Sequence, residues 1–322
     1  MPTKHFWAGV DIGGTKTAIV LSADPPAVLE RTEFPTLPAD GPEPALKSIF
    51  AALHRALAAQ GPDAALEGIG VSCGSPLDAV AGVIQAPPNL WTWVDVPIVS
   101  ILQKEFGVPC HLENDANAGA VAEHRFGTGR GTDHMLFLTM GTGFGAGIIA
   151  NGKLYRGATG MAGEIGHVRL TSSGPIGYHK AGSVEGWVSG GGLAQVAATA
   201  LHRAQRQGRH SALAERFQSN GQVSARDIAE AARAGDPLAK RVIRSTGVRL
   251  GRTLAIQVDL FNPQRIVIGG LAMRIGEPLL APARATLARE ALPGSVAACQ
   301  VVPAQLGESI GDAAALAIAM GI

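Results

Sequence analysis

Twice in this chain an apolar run breaks on a cluster of glycines and then resumes. The first run, Phe6–Val10, meets Asp11-Ile12-Gly13-Gly14-Thr15-Lys16 and continues as Thr17–Leu21. The second, Met135–Met140, meets Gly141-Thr142-Gly143-Phe144-Gly145 and continues as Ala146–Ile149. Two apolar runs around such a break read as a β-hairpin. Glycines at the turn also let backbone N–H groups approach a phosphate with no Cβ in the way. Thr15, Lys16 and Thr142 add hydroxyl and ammonium donors. A third glycine pair, Gly269-Gly270, ends the apolar run Ile266–Ile268. A tight hairpin would account for any one of these turns. Three in one chain, two of them beside Thr or Lys donors, point to phosphate binding. The chain has no GxxxxGK[ST] loop, and the second turn lacks the spacing and the following helix of a dinucleotide fingerprint.

The rest of the sequence alternates strands with helices. A Pro-rich loop is expected at Pro25–Pro44. A helix is expected over Ala45–Gln60, where Leu46, Ile49, Phe50, Leu53 and Leu57 share one face and Gly61 stands at the C-cap position. Strands are expected at Gly68–Cys73 and Pro109–Leu112, and helices at Pro97–Phe106 and Asp115–Phe126. From Gly191 the pattern is mainly helical, interrupted by strands at Arg265–Ile268 and Gln300–Val302, and it ends in a small-residue helix, Ser309–Met320. Such alternation implies an α/β architecture. The 322 residues suffice for two domains. Charged residues make up only 16%, and 42 glycines and runs of alanine take their place, which implies closely packed helices and tight turns.

A net charge of +1 gives no electrostatic case for nucleic acid or a membrane surface. The densest basic stretch, Arg203–Arg209, reads as a solvated helix face. Three scattered cysteines, Cys73, Cys110 and Cys299, show no CxxC spacing and fit a reducing cytoplasm. No leader-like or membrane-spanning apolar run is present.

Six segments together carry a resemblance. DIGGTK at 11–16, ENDANAGA at 113–120, GTGFGAGI at 141–148, GEIGH at 163–167, IVIGGLA at 266–272 and GDAAALA at 311–317 resemble, in order, the motifs of the ROK family (repressors, open reading frames and kinases). The resemblance implies an α/β, two-domain actin-like ATPase fold, ribonuclease H-like, with an interdomain cleft. Residues 1–118 plus 304–322 would form the small domain and 119–303 the large one. It implies an ATP-dependent, Mg²⁺-using, cytoplasmic sugar kinase, glucokinase-like, with a small-molecule sugar substrate and a homodimeric state. Glucose is the default sugar; fructose, an N-acetylhexosamine or a β-glucoside are alternatives. A non-catalytic sugar sensor is a further alternative, disfavoured because Asp11 lies too near the start for a preceding helix-turn-helix. An ATPase or chaperone of the wider superfamily is disfavoured by the GEIGH and ENDANAGA segments.

Position alone leaves Asp115 open between a general base and an N-cap aspartate. The resemblance makes it the base that takes the proton of a sugar hydroxyl. It makes Asn89, Asn114, Asp115, Glu164, His167 and Glu185 sugar ligands, side chains suited to hydroxyls that both donate and accept. Asp11 would hold the Mg²⁺–phosphate group through water. Gly13, Gly14, Thr15, Lys16, Thr142 and Gly143 would cradle phosphates, and Gly269 and Gly270 would border the adenosine or join the domains, as would Asp312. One departure stands out. Many family members follow GEIGH with a CxCGxxGCxE zinc site, but the three cysteine positions here hold Ile176, Tyr178 and Ser183. Ser172, Ser173 and His179 do not rebuild a tetrahedral site. No structural zinc is therefore expected, and packing through Tyr178 and Trp187 must hold the Gly174–Gly192 stretch.

Overall fold

The computed structural model describes residues 3–321. The chain forms two compact units: residues 1–131, 147–162 and 305–322 make one, and residues 132–146 and 163–304 make the other.

The first unit is built on a five-stranded sheet. Strands β1 (Lys4–Ile12) and β2 (Lys16–Ser22) pair antiparallel around the first glycine turn, as the apolar pattern requires, and the turn closes with the Gly13 N–H donating to the Lys16 carbonyl at 3.0 Å. β3 (Glu30–Pro35) adds an edge strand to β2. This corrects the expected loop at Pro25–Pro44. β3 is polar and only half-buried on alternate residues, so it lacks the apolar run that marks a strand, and Pro35 is tolerated because it lies at an edge. The helix α1 (Pro42–Ala59) also begins inside that stretch, with Pro42 in the first-turn position where a missing N–H costs nothing. β4 (Ala64–Cys73) lies parallel to β1, β5 (Leu77–Asp78) and β6 (Val83–Ile84) form a small ladder, and α2 (Ile98–Phe106) leads into β7 (Cys110–Asn114), parallel to β4. The sheet order is β3-β2-β1-β4-β7. α3 (Asp115–Arg125) follows β7 without a break.

In the second unit, β8 (Met135–Met140) ends at the second glycine turn, and β9 (Phe144–Ala150) leaves it beside β8. The end of β9 pairs with β10 (Lys153–Leu154) in the first unit. The short pair β11 (Ile176–Gly177) and β12 (Lys180–Ala181) precedes α4 (Val184–Val188), α5 (Gly190–Arg206), α6 (Ala212–Asn220), α7 (Ala225–Arg233) and the long α8 (Pro237–Phe261). β13 (Arg265–Gly270) runs parallel to β8 and to β14 (Gln300–Pro303), with α9 (Leu271–Ile275), α10 (Glu277–Glu290) and α11 (Pro293–Ala298) between β13 and β14.

The last helix, α12 (Ile310–Ala319), returns to the first unit and shows what the glycine- and alanine-rich composition is for. It packs directly on β1 and β4. A Cβ at Gly70 would stand 2.0 Å from the Ala315 carbonyl oxygen and 2.3 Å from the Ala319 nitrogen. Helix backbone thus rests on strand backbone, a distance open only to glycine on one side and small residues on the other. Arg125, at the end of α3, donates to the Ala317 carbonyl at 2.8 Å and to the Gly321 carbonyl, which ties the last carbonyls of α12 to α3.

Candidate active site

Because β1, β4 and β7 are parallel, their carboxyl ends lie together, the end of an α/β sheet where ligands bind. Asp11 and Ser72 are partners in the β1–β4 register, and Ser72 and Glu113 in the β4–β7 register. Asp115 is the first residue of α3, just past that row. The N-cap is not Asp115 but Asn114, whose side-chain oxygen accepts from the Asn117 N–H at 2.8 Å. The cap reading of Asp115 is thereby removed, and its carboxylate is left for other work.

Asp115 keeps a solvent-accessible side chain, yet the protein crowded around it disfavours charge and raises its carboxyl above the usual range. Hydrogen bonds from the Ala116 and Asp115 N–H groups oppose this less strongly. The Asp11 carboxyl is pushed up to about 6 by burial first, then by repulsion from Asp115 and from Asp312; a hydrogen bond from Ser72 and the charge of Lys16 pull the other way. Asp115 and Asp312 thus both repel charge on Asp11, and a carboxylate held beside two others suits a cation. Among the described residues no three His, Cys, Asp or Glu side chains are placed to ligate a metal directly. A carboxylate such as Asp11 is the kind of oxygen ligand that a hydrated Mg²⁺ contacts through its waters. Asp312 is held by Arg31, whose Nε donates at 2.9 Å, and Gly311 makes room: a Cβ there would lie 2.4 Å from Asp11 Oδ2.

The first glycine turn sits under Asn89. A Cβ on Gly14 would approach the Asn89 carbonyl oxygen to 2.6 Å, and one on Gly74 would lie 3.6 Å from Asn89 Oδ1. Thr36 Oγ1 donates to the Gly13 carbonyl at 2.6 Å. Thr15 is exposed at the tip, while the Lys16 ammonium is engaged by Glu33 at 2.8 Å.

In the second unit Gly143 and Glu185 come together. A Cβ on Gly143 would stand 2.9 Å from Glu185 Oε2, and the Phe144 N–H donates to that oxygen at 3.2 Å. Thr142 lies in the same turn, its carbonyl accepting from the Gly191 N–H at 3.3 Å. Glu164 caps a 3-10 turn, Ile165–His167, whose last residue is His167. The His167 ring meets the edge of Tyr178 with 4.9 Å between ring centres, and Lys180 Nζ donates to the His167 carbonyl at 2.9 Å. Gly270 is exposed at the end of β13 with φ +69°, and its missing Cβ would strike the Met140 carbonyl at 2.4 Å. Gly269 is buried against Phe137.

Several residues of the site are not marked in the sequence. Glu113, 1% exposed, pairs with Arg156 Nε at 2.7 Å and accepts from the Asn114 N–H and Asn117 Nδ2, both at 3.0 Å. It lies inside the ENDANAGA segment, but its partner is 43 residues away and no periodicity links them. Ser72 and Arg31 have no local signal either.

The loop without cysteines is held by packing and hydrogen bonds. Trp187 Nε1 donates to Thr171 Oγ1 at 2.8 Å, and Arg249 lies over the Trp187 ring at 4.4 Å. Gln195 clamps the Ile176 backbone at both its N–H (2.9 Å) and its carbonyl (2.8 Å). Ser183 is fully buried as the cap of α4, donating no thiolate but accepting from the Gly186 N–H at 3.1 Å.

Comparison with known proteins identifies the family. A profile described as "ROK family" matches residues 7–321. A glucokinase of Thermotoga maritima is 34% identical over 315 residues, spanning 96% of this chain and 96% of its own. The structure of a ROK hexokinase from Thermus thermophilus superposes with a TM-score of 0.78 at 32% identity, covering 97% of each chain. That of a ROK family glucokinase from Streptomyces griseus, in complex with glucose and AMPPNP, does so with a TM-score of 0.76 at 33% identity, covering 98% of this chain and 99% of the other. The chain belongs to the ROK family and has its two-domain, actin-like α/β fold.

Proposed function

We propose that this protein is an ATP-dependent sugar kinase that transfers the γ-phosphoryl group of ATP to a hydroxyl of a hexose, with glucose as the first substrate to test. The observation that carries this reading is Asp115: a carboxylate at the carboxyl end of the sheet, relieved of capping by Asn114, with its proton affinity raised. A sugar hydroxyl is a weak nucleophile. Asp115 accepts its proton as the oxygen bonds to the γ-phosphorus and the bond to the bridging oxygen of ADP breaks. Asn89, Asn114, Asp115, Glu164, His167 and Glu185 are the side chains assigned to the sugar. Gly13, Gly14, Thr15, Lys16, Thr142 and Gly143 face the phosphates, and Gly269 and Gly270 the adenosine end. Mg²⁺, held through water by Asp11, would neutralise phosphate charge when bound. The relatives' glucokinase and hexokinase names, and the nucleotide analogue in one of their structures, support the reading.

A different hexose remains a second reading for one reason. Tyr178 packs on His167 where other family members place a zinc ligand, so the edge of the sugar pocket carries a new side chain. Fructose, an N-acetylhexosamine and a β-glucoside belong on the panel. The test is ADP release from Mg·ATP against that panel. Sugar-dependent turnover is expected. Absence of turnover with every sugar, alongside measurable ATP binding, would overturn the kinase in favour of a sugar sensor. The same reading carries a cytoplasmic homodimer, checked by light scattering.

A further inference from the structure

Arg203 and Arg209 lie in the basic stretch that reads, in sequence, as a solvated helix face. In the structure both line a cavity of about 770 Å³ in the second unit, and Arg241 and Arg249 of α8 line it too. The volume falls in the range of small-molecule pockets, about 300–1,000 Å³. No aspartate or glutamate lines the cavity, and none of the residues assigned above to sugar or nucleotide does. Four arginines and no carboxylate thus line one cavity, in a chain whose net charge is only +1.

The cavity is built rather than incidental. Arg249 is partly buried, lies over Trp187 and donates to Ser245 Oγ at 3.0 Å, yet its Nε is buried with no hydrogen-bond partner. Burial and the nearby Arg252 lower its guanidinium pKa, so its charge would be favoured by an anion placed beside it. One wall, at Ile176, is fixed by the Gln195 clamp. A guanidinium fork matches phosphate oxygens two at a time, and one phosphate brings a charge of about −2 to meet several arginines. Trp187 offers an apolar face to whatever the phosphate is attached to.

We propose that this cavity is a second ligand site that binds a phosphorylated small molecule through Arg203, Arg209, Arg241 and Arg249, with Trp187 against its organic body. Trp187 and Glu185 share the single short helix α4. Occupancy therefore bears on Glu185 and changes the KM for the sugar; that consequence rests on the sugar-kinase reading, whereas the binding itself does not.

The test is calorimetric titration of the intact protein with fructose 1,6-bisphosphate, with the sugar substrate and ADP present so that the catalytic residues are occupied. The expected result is one equivalent bound per chain with a Kd on the order of 10–100 µM. In the R203Q/R241Q variant, binding weakens by at least about tenfold while the melting temperature and kcat hold, because both arginines are exposed and take no part in the chemistry. Inorganic phosphate competes and citrate at equal concentration does not. Unchanged affinity in R203Q/R241Q, equal binding of citrate, or no binding up to about 10 mM would each overturn the proposal. Turnover is not needed to read any of these outcomes, so failure of the kinase reading and failure of this one are distinguishable.

Discussion

Replacing Asp11 with asparagine should leave a protein that is more stable and less active. The Asp11 carboxyl stands at about 6 in the folded chain against an ordinary 3.8. Between those values the folded chain holds a proton that the unfolded chain has released, so stability falls as pH climbs through the window. Above about 6 the ionised group exacts its full penalty. A separation of about 2 pH units corresponds to about 3 kcal/mol at roughly 1.36 kcal/mol per unit. The asparagine side chain removes the charge that burial, Asp115 and Asp312 oppose, and its carbonyl oxygen still accepts from Ser72. D11N should therefore gain about 2–3 kcal/mol at about pH 7.5. For a unit of this size that is a rise in Tm of roughly 2–4 °C per kcal/mol. At about pH 4, where folded wild-type Asp11 already carries its proton, the gain should all but vanish. The assay is thermal unfolding of both proteins across this pH range. Destabilisation at about pH 7.5, or a gain of equal size at about pH 4, would refute the argument that charge repulsion and burial set the energy of this site. In the wild type, kcat/KM should rise with pH through about 6 as Asp11 ionises.

Asp115→Asn should lower kcat by roughly 10²–10⁴-fold with little change in ATP affinity, measured by steady-state kinetics and nucleotide titration; near-normal kcat would remove Asp115 from the base role. The same variant should move the acid limb of the profile to lower pH, because Asp115 is the largest single charge raising Asp11. Glu113→Gln leaves Arg156 with no carboxylate partner in a buried pair and should cost about 2 kcal/mol or more in denaturant unfolding, less than the deepest pairs because Arg156 can rehydrate. Gly70→Ala drives a Cβ into the Ala315 carbonyl and the Ala319 nitrogen, where no flexible side chain can yield, and should cost about 3 kcal/mol or more or prevent folding. Purified protein should carry no stoichiometric zinc, and chelation should leave Tm unchanged; one equivalent of zinc per chain would contradict the assignment of the loop to packing alone.

Legibility in the sequence followed the range of the interaction. The Asp11–Lys16 hairpin, the Asp115 helix and the terminal helix were readable because a glycine turn, an apolar period or a small-residue run encodes each within a few residues. β3 was not, because an edge strand has one paired side and little apolar face to show. The Glu113–Arg156 pair, the Arg31–Asp312 pair and the four-arginine cavity join positions tens to hundreds of residues apart, and nothing local marks one partner for the other. Asn114 shows the opposite difficulty. Its neighbour Asp115 is an equally good N-cap by residue type, and only the backbone decides which of the two side chains meets the Asn117 N–H.

In the loop that lacks cysteines, a tight turn and packing orient the residues. β11 and β12 pair at Gly177 and Lys180, so Tyr178 and His179 form a two-residue hairpin loop, with φ of 39° and 63°. Positive φ at both central positions is the geometry of a type I′ turn, which favours Asn-Gly over bulky residues. Each non-glycine residue there carries a cost of order 1 kcal/mol and persists only where packing holds it. Here the turn sets the Tyr178 ring against His167, while Lys180, one residue further on, hydrogen-bonds the His167 backbone. A ligated zinc would fix the histidine by consuming one of its ring nitrogens. A ring contact and a backbone hydrogen bond fix its position without engaging a ring nitrogen. The strain in the turn is thus offset by the contacts that position this histidine.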